Sequence, residues 1–199
     1  MKNSILMERN SSCLIVIDLQ QKLIPAIPAV PGILNATETL LSAASLMNIP
    51  RIVTQQYPKG LGATVDVIQE AAVGAEYVDK VEFSGANAVS GLPSIHGHSS
   101  EFQFILCGIE THICVLQTAI ELRTKGSIVF VVADATASRN EADHAMALQR
   151  MRSAGCIVTT TESVVFEWCR TAAASEFKSV SRLIRNFDER RKEFNQLKS

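Results

Sequence analysis

Among the five cysteines of this 199-residue sequence, Cys114 has the surroundings best suited to chemistry. It follows a short apolar run at 102–107 that has the length and composition of a buried strand and that Gly108 ends. From Thr111 the spacing becomes helical, with Ile113, Leu116, Ile120 and Leu122 recurring as far as Gly126. Thr111 reads as the N-cap, which puts Cys114 in the first turn of a helix. Free backbone N–H groups and the positive end of the helix dipole stabilise an anion at that place. The thiol is therefore expected to be more acidic than a free cysteine, and the N–H groups around Glu110 and Cys114 are expected to serve a developing oxyanion. The competing reading of Cys114 is a small residue packing a helix on its sheet.

Two further groups stand where strands should end. Asp18 closes the continuous apolar run 13–17, and Lys80 follows the short apolar pair Tyr77 and Val78. Each has an ordinary reading, the Asp as a turn former or cap and the Lys as a solvated surface charge. Taken together they make chemical sense. A carboxylate takes the thiol proton, an ammonium holds the thiolate and orients the base, and the sulfur attacks a carbonyl.

The elements that must position these groups alternate along the chain. Apolar runs at 13–17, 51–54, 77–78, 102–107, 128–132 and 156–159 read as strands, the fully apolar ones as strands buried on both faces of a parallel sheet. Between them, helical spacing predicts helices over 33–47, 65–72, 112–125, 138–153 (opened by the Ser138–Glu141 capping spacing) and 161–170. An amphipathic helix over 177–187 follows, and 188–199 is highly charged and expected to be solvated or frayed. This order predicts one α/β domain over 1–199, with its core at about 12–185 and a charged tail at 186–199, in a three-layer Rossmann-like fold with a mainly parallel six-stranded sheet. Ligand sites in such sheets lie at the C-terminal edge of the strands.

Composition narrows the classes. The apolar fraction of 47% is ample for one core, and a net charge of -1 offers no electrostatic case for nucleic acid or an anionic membrane. No apolar run approaches the roughly 20 residues that span a bilayer, and 1–12 lacks the basic start and apolar segment of a secretion signal. The cysteines are odd in number, show no CxxC spacing and mostly sit in or beside apolar runs, so a reducing, cytoplasmic location is expected. No nucleotide-binding glycine loop follows the first strand.

With these residues placed, the chain resembles the isochorismatase-like cysteine hydrolases, a family of isochorismatases, nicotinamidases and N-carbamoyl amidohydrolases. The resemblance covers about 13–184. It rests on Ile15-Val16-Ile17-Asp18-Leu19-Gln20, on Lys80 with Phe83-Ser84, and on Cys107-Gly108-Ile109-Glu110-Thr111-His112-Ile113-Cys114-Val115-Leu116-Gln117-Thr118. Asp134-Ala135, Ser138-Arg139, Ala147-Leu148 with Met151, and Ala154-Gly155 extend it. The loop Thr54-Gln55-Gln56-Tyr57-Pro58-Lys59-Gly60-Leu61-Gly62 is most similar to the isochorismatase domain-containing group. The resemblance implies an Asp–Lys–Cys triad at Asp18, Lys80 and Cys114, a cis peptide at Ile109-Glu110, and hydrolysis of a small-molecule amide or carbamoyl C–N bond without a cofactor.

It departs from nicotinamidases in one respect. Their metal-binding Asp-x-His pair after the second strand is replaced here by Gln55, Gln56 and Tyr57, so no metal is expected. His96 and His98 form an H-x-H pair that reads as two surface histidines. Pocket walls are assigned to Tyr57, Leu61, Phe83, His112 and Arg139, an apolar and mostly uncharged set suited to a small uncharged group. His112 is read as packing beside the nucleophile turn, and Arg139 as either a carboxylate anchor or a structural residue. A homo-oligomer is expected, with Val164, Val165, Phe166 and Trp168 as apolar groups for the contact. Three other functions stay open: a catalytically silent binding protein, a thiol redox protein, and vinyl-ether hydrolysis of the isochorismatase type.

Overall fold

The computed structural model describes residues 6–92, 95 and 102–196. The H-x-H pair at His96 and His98 lies outside the described residues. Six strands form one wholly parallel sheet: β1 (Ser12–Ile17), β2 (Arg51–Gln56), β3 (Glu76–Lys80), β4 (Gln103–Ile109), β5 (Ile128–Ala137) and β6 (Ile157–Thr159). Their spatial order is β3-β2-β1-β4-β5-β6, so β1 and β4 lie side by side at the centre. Both are buried along their whole length, which is why their sequences are continuously apolar.

Alternate side chains of β1 enter two separate cores. Leu14 and Val16 join the core shared with α1 (Val30–Leu46), α7 (Thr161–Cys169) and α8 (Phe177–Gln196). Cys13, Ile15 and Ile17 join the core shared with α4 (Ala86–Ser90), α5 (Leu116–Thr124) and α6 (Glu141–Ser153). Two short helices, α2 (Pro58–Leu61) and α3 (Asp66–Ala71), lie in the connection between β2 and β3. Helix α1 starts three residues earlier than its apolar spacing suggests, with Pro31 in its first turn, where a missing N–H costs nothing. Helix α8 does not stop at Phe187 but continues through the charged segment to Gln196. Val180, Ile184 and Phe187 form its buried stripe, and the Arg190–Glu38 ion pair ties its distal half to α1.

Two departures from the expected boundaries shape the site. Strand β5 runs on to Ala137, past the end of its apolar run at Val132. While β4 advances from Leu106 to Gly108, β5 advances from Val131 to Thr136, a register shift that carries Ser138 and Arg139 to the C-terminal edge. Gly108 is the second feature. It sits beside Ile17 with φ 111, and a Cβ there would lie 2.0 Å from the Ile17 carbonyl oxygen. Only glycine permits β1 and β4 to approach in this way.

Candidate active site

Asp18 leaves β1 with φ 52, a left-handed conformation uncommon outside glycine and found where the surroundings over-determine it. Its carboxylate is fully buried and held at both oxygens. The Thr54 hydroxyl donates to Oδ1 at 2.7 Å, and Lys80 Nζ donates to Oδ2 at 2.6 Å. Lys80 ends β3 and is itself only 5% exposed. Its ammonium also reaches Gln56 Oε1 at 2.7 Å and the carbonyls of Phe83 and Glu82 at 3.2 and 3.4 Å. A buried ion pair is tolerated only when such additional bonds offset its desolvation.

Cys114 completes the group. It lies one strand over, after β4, and is 7% exposed. Burial and the charge of Asp18 push its pKa from the ordinary 9.0 up to about 12, against the opposing influence of Lys80. The expected acidic thiol is thereby corrected. Desolvation and the neighbouring carboxylate outweigh the ammonium, so Cys114 rests as a neutral thiol beside a carboxylate. Three other thiols behave similarly: burial raises Cys13, Cys107 and Cys156, the last to about 11.

The turn that presents the thiol also differs from expectation. Thr111–Val115 is a single π-helical segment leading into α5, and Glu110 flanks it without a side-chain cap. The Glu110 carbonyl accepts from both the Ile113 and Val115 N–H groups, at 3.0 and 3.2 Å. Thr111 is not a cap, because its hydroxyl is spent on His144 Nδ1 at 2.9 Å. The peptide Ile109-Glu110 is cis. Nor does Ser138 cap α6; Asn140 does, accepting from the Ala142 N–H, while the Ser138 hydroxyl meets His112 Nδ1 at 2.8 Å.

Of the residues assigned to the pocket, Tyr57 and Phe83 flank Lys80. The Tyr57 N–H donates to the Lys80 carbonyl at 2.8 Å, and both aromatic side chains are more than half exposed. Leu61 lies in α2, its N–H bonded to the Tyr57 carbonyl. Arg139 is engaged by Glu110, whose buried carboxylate takes the Arg139 N–H at 2.9 Å and the guanidinium at 2.6–3.1 Å. Burial acts to raise the Glu110 carboxyl, but the hydrogen bonds and charge of Arg139 prevail and hold it below its ordinary value.

Sequence reading missed Gln20 and Gln56. The Gln56 N–H donates to Gln20 Oε1 at 2.7 Å, and Gln20 Nε2 returns to the Gln56 carbonyl at 3.0 Å. This exchange fixes the Gln56 backbone, and the side-chain amide that receives Lys80 is held by its own bond from Nε2 to the Val81 carbonyl at 2.7 Å. Two glutamines at or just beyond strand ends were the available signal. Among the described residues no group of three or more His, Cys, Asp or Glu side chains is placed to hold a metal.

The isochorismatase domain model matches residues 12–163, a range that includes Asp18, Lys80 and Cys114. The chain belongs to the isochorismatase family. It is 39% identical over 184 residues to the secreted isochorismatase effector Isc1 of Phytophthora sojae, covering 88% of this chain and 85% of that protein. Isochorismatase domain-containing protein 2A of Mus musculus is 38% identical over 175 residues, covering 88% and 83%. Among solved structures, the MAR1 ribonuclease of Caenorhabditis elegans aligns with a TM-score of 0.80 at 36% identity, covering 90% and 92%. No helix among the described residues is long and apolar enough to cross a membrane.

Proposed function

We propose that this isochorismatase-family chain is a cysteine hydrolase that cleaves an amide or carbamoyl C–N bond of a small molecule. The observation that carries the proposal is the buried Lys80–Asp18 pair, oriented by Thr54 and Gln56, with the Cys114 thiol within reach of the charge of the same carboxylate. Asp18 takes the Sγ proton as sulfur adds to the substrate carbonyl, and Lys80 holds the carboxylate in place. The backbone N–H groups of Glu110 and Cys114 receive the oxyanion. Collapse breaks the C–N bond, and the departing nitrogen takes the proton from Asp18. Water, deprotonated by Asp18, then hydrolyses the thioester and returns the thiol.

A neutral resting thiol suits this scheme, since the proton that sulfur gives up is the one the leaving nitrogen needs. Tyr57, Leu61, Phe83, His112 and Arg139 form the substrate walls in this reading. With Arg139 already paired to Glu110, the site favours an uncharged substrate. Five free, buried cysteines support a reducing, cytoplasmic setting. The test is a panel of small primary amides, ureas and N-carbamoyl compounds, with isochorismate included, run beside Cys114→Ala. Release of ammonia or amine that the variant lacks, with an acyl adduct on Cys114 by mass spectrometry, is the expected result. Turnover of isochorismate alone, or turnover retained by Cys114→Ala, overturns the proposal.

A further inference from the structure

Outside the Asp18–Lys80–Cys114 cluster, three consecutive residues ahead of the nucleophile are each tied to one neighbouring stretch of chain. Glu110 is gripped by Arg139, Thr111 by His144 and His112 by Ser138. Ser138 and Arg139 come from the connection that follows β5, and His144 from the first turn of α6. On the far side, the Thr118 hydroxyl donates to the Cys114 carbonyl at 2.7 Å and accepts from the Gly85 N–H at 2.8 Å. The segment held between these ties is the π turn, in which the Leu116 N–H reaches back to the Thr111 carbonyl. Wide turns of this kind are rare, are less favourable than α geometry and recur at functional sites. Relaxation to α closure would rotate Cys114 about the helix axis and carry its sulfur away from Asp18.

We propose that His144 and Ser138, with Arg139, are positioning residues that hold Thr111–Val115 in its π form and so hold the Cys114 sulfur against Asp18. The inference rests on Cys114 being the reactive group of the site, and none of the three side chains need touch the substrate for it to hold. His144 stands on α6, and its Nδ1 is occupied by the Thr111 hydroxyl rather than directed at the thiol. A purely structural role would add stability without fixing where the sulfur sits.

Alkylation of Cys114 separates the two roles and requires no substrate. The charged groups acting on the thiol are Asp18 and Glu110, which raise it with burial, and Lys80, which lowers it. A sulfur released from that environment titrates closer to an ordinary thiol. Iodoacetamide labelling of Cys114, followed by peptide mapping across pH, is expected to show a lower midpoint in Thr111→Val, His144→Ala and Ser138→Ala. A midpoint lower by about one pH unit leaves about tenfold more thiolate at pH 8, and labelling there is expected to be faster in proportion. Thr111→Ser and His144→Asn, which keep the hydroxyl and the acceptor, restore the wild-type profile. Thr124→Val, which removes a hydroxyl bond to the Ile120 carbonyl elsewhere on α5, leaves it unchanged. If Thr111→Val fails to fold, Ser138→Ala decides alone. Variants that melt earlier but keep the wild-type labelling midpoint overturn the proposal. Absence of amide turnover in the wild type would count against the hydrolase reading while leaving this result intact.

Discussion

Asp18 and Lys80 neutralise each other in a buried setting, and this limits what a substitution at either can report. Asp18→Asn removes the proton acceptor, and a general base is worth about 10²–10⁴ in rate. It also leaves an ammonium buried at the end of β3 with only neutral acceptors, which costs about 3–5 kcal/mol. Lost turnover on an identified amide is therefore expected together with a lower denaturation midpoint. The double variant Asp18→Asn, Lys80→Met should recover most of the lost stability and none of the turnover. Urea unfolding of the two single variants and the double variant checks this. Strictly additive losses would mean that the pair is not coupled in the way its 2.6 Å contact implies. Lys80 also shows what a sequence conceals. In Asp79-Lys80-Val81-Glu82 it looks like a solvated charge, and its burial depends on Gln56 and on the Phe83 carbonyl, whose approach is set by the fold. Asp18 and Cys114 were legible because each sits at a sharp change of pattern, an apolar run giving way to a polar residue or to helical spacing.

At the scale of elements, the central strands were readable because burial on both faces demands unbroken apolar runs. The extension of β5 was not. Ala133, Asp134 and Thr136 look like the start of a loop, yet Asp134 enters the fold by accepting the Thr161 N–H and hydroxyl at the start of α7. The π turn was hidden for a related reason, since the ties of Glu110, Thr111 and His112 run to residues more than twenty positions away. Gly108 could be read as a strand end but not as a strand contact. Its role predicts a large effect for the smallest substitution. Gly108→Ala places a Cβ 2.0 Å from a backbone oxygen that cannot move without opening β1 against β4, and φ 111 is strained for alanine in any case. A loss of at least about 3 kcal/mol is expected by chemical denaturation, among the larger single-residue effects. A loss under about 0.5 kcal/mol, the usual range of a surface change, would show that the two strands are not held at this distance.

For the whole molecule, the apolar groups that the sequence assigns to self-association belong elsewhere. Val164, Val165 and Trp168 are buried in the chain's own core, and of that set only Phe166 is exposed. Four other exposed apolar side chains gather at the opposite end of the sheet. Tyr77, Val81 and Phe83 lie on or just beyond β3, the edge strand, and Tyr57 stands against Lys80 beside them. An edge strand with apolar groups in water tends to find a partner, and a second copy of this chain offers the same surface. We propose a homo-oligomer formed through this edge. Because Tyr57 and Phe83 would be covered on one side, the contact would also complete the wall nearest Lys80. Light scattering is expected to give a mass above one chain at micromolar concentration, and Tyr77→Glu with Val81→Glu to reduce it to a single chain. Turnover per chain should then fall on dilution of the wild type, while Cys114 labelling holds steady because its ties lie within one chain. A wild type that is monomeric at micromolar concentration would remove the oligomer, and the pocket wall would have to come from this chain alone.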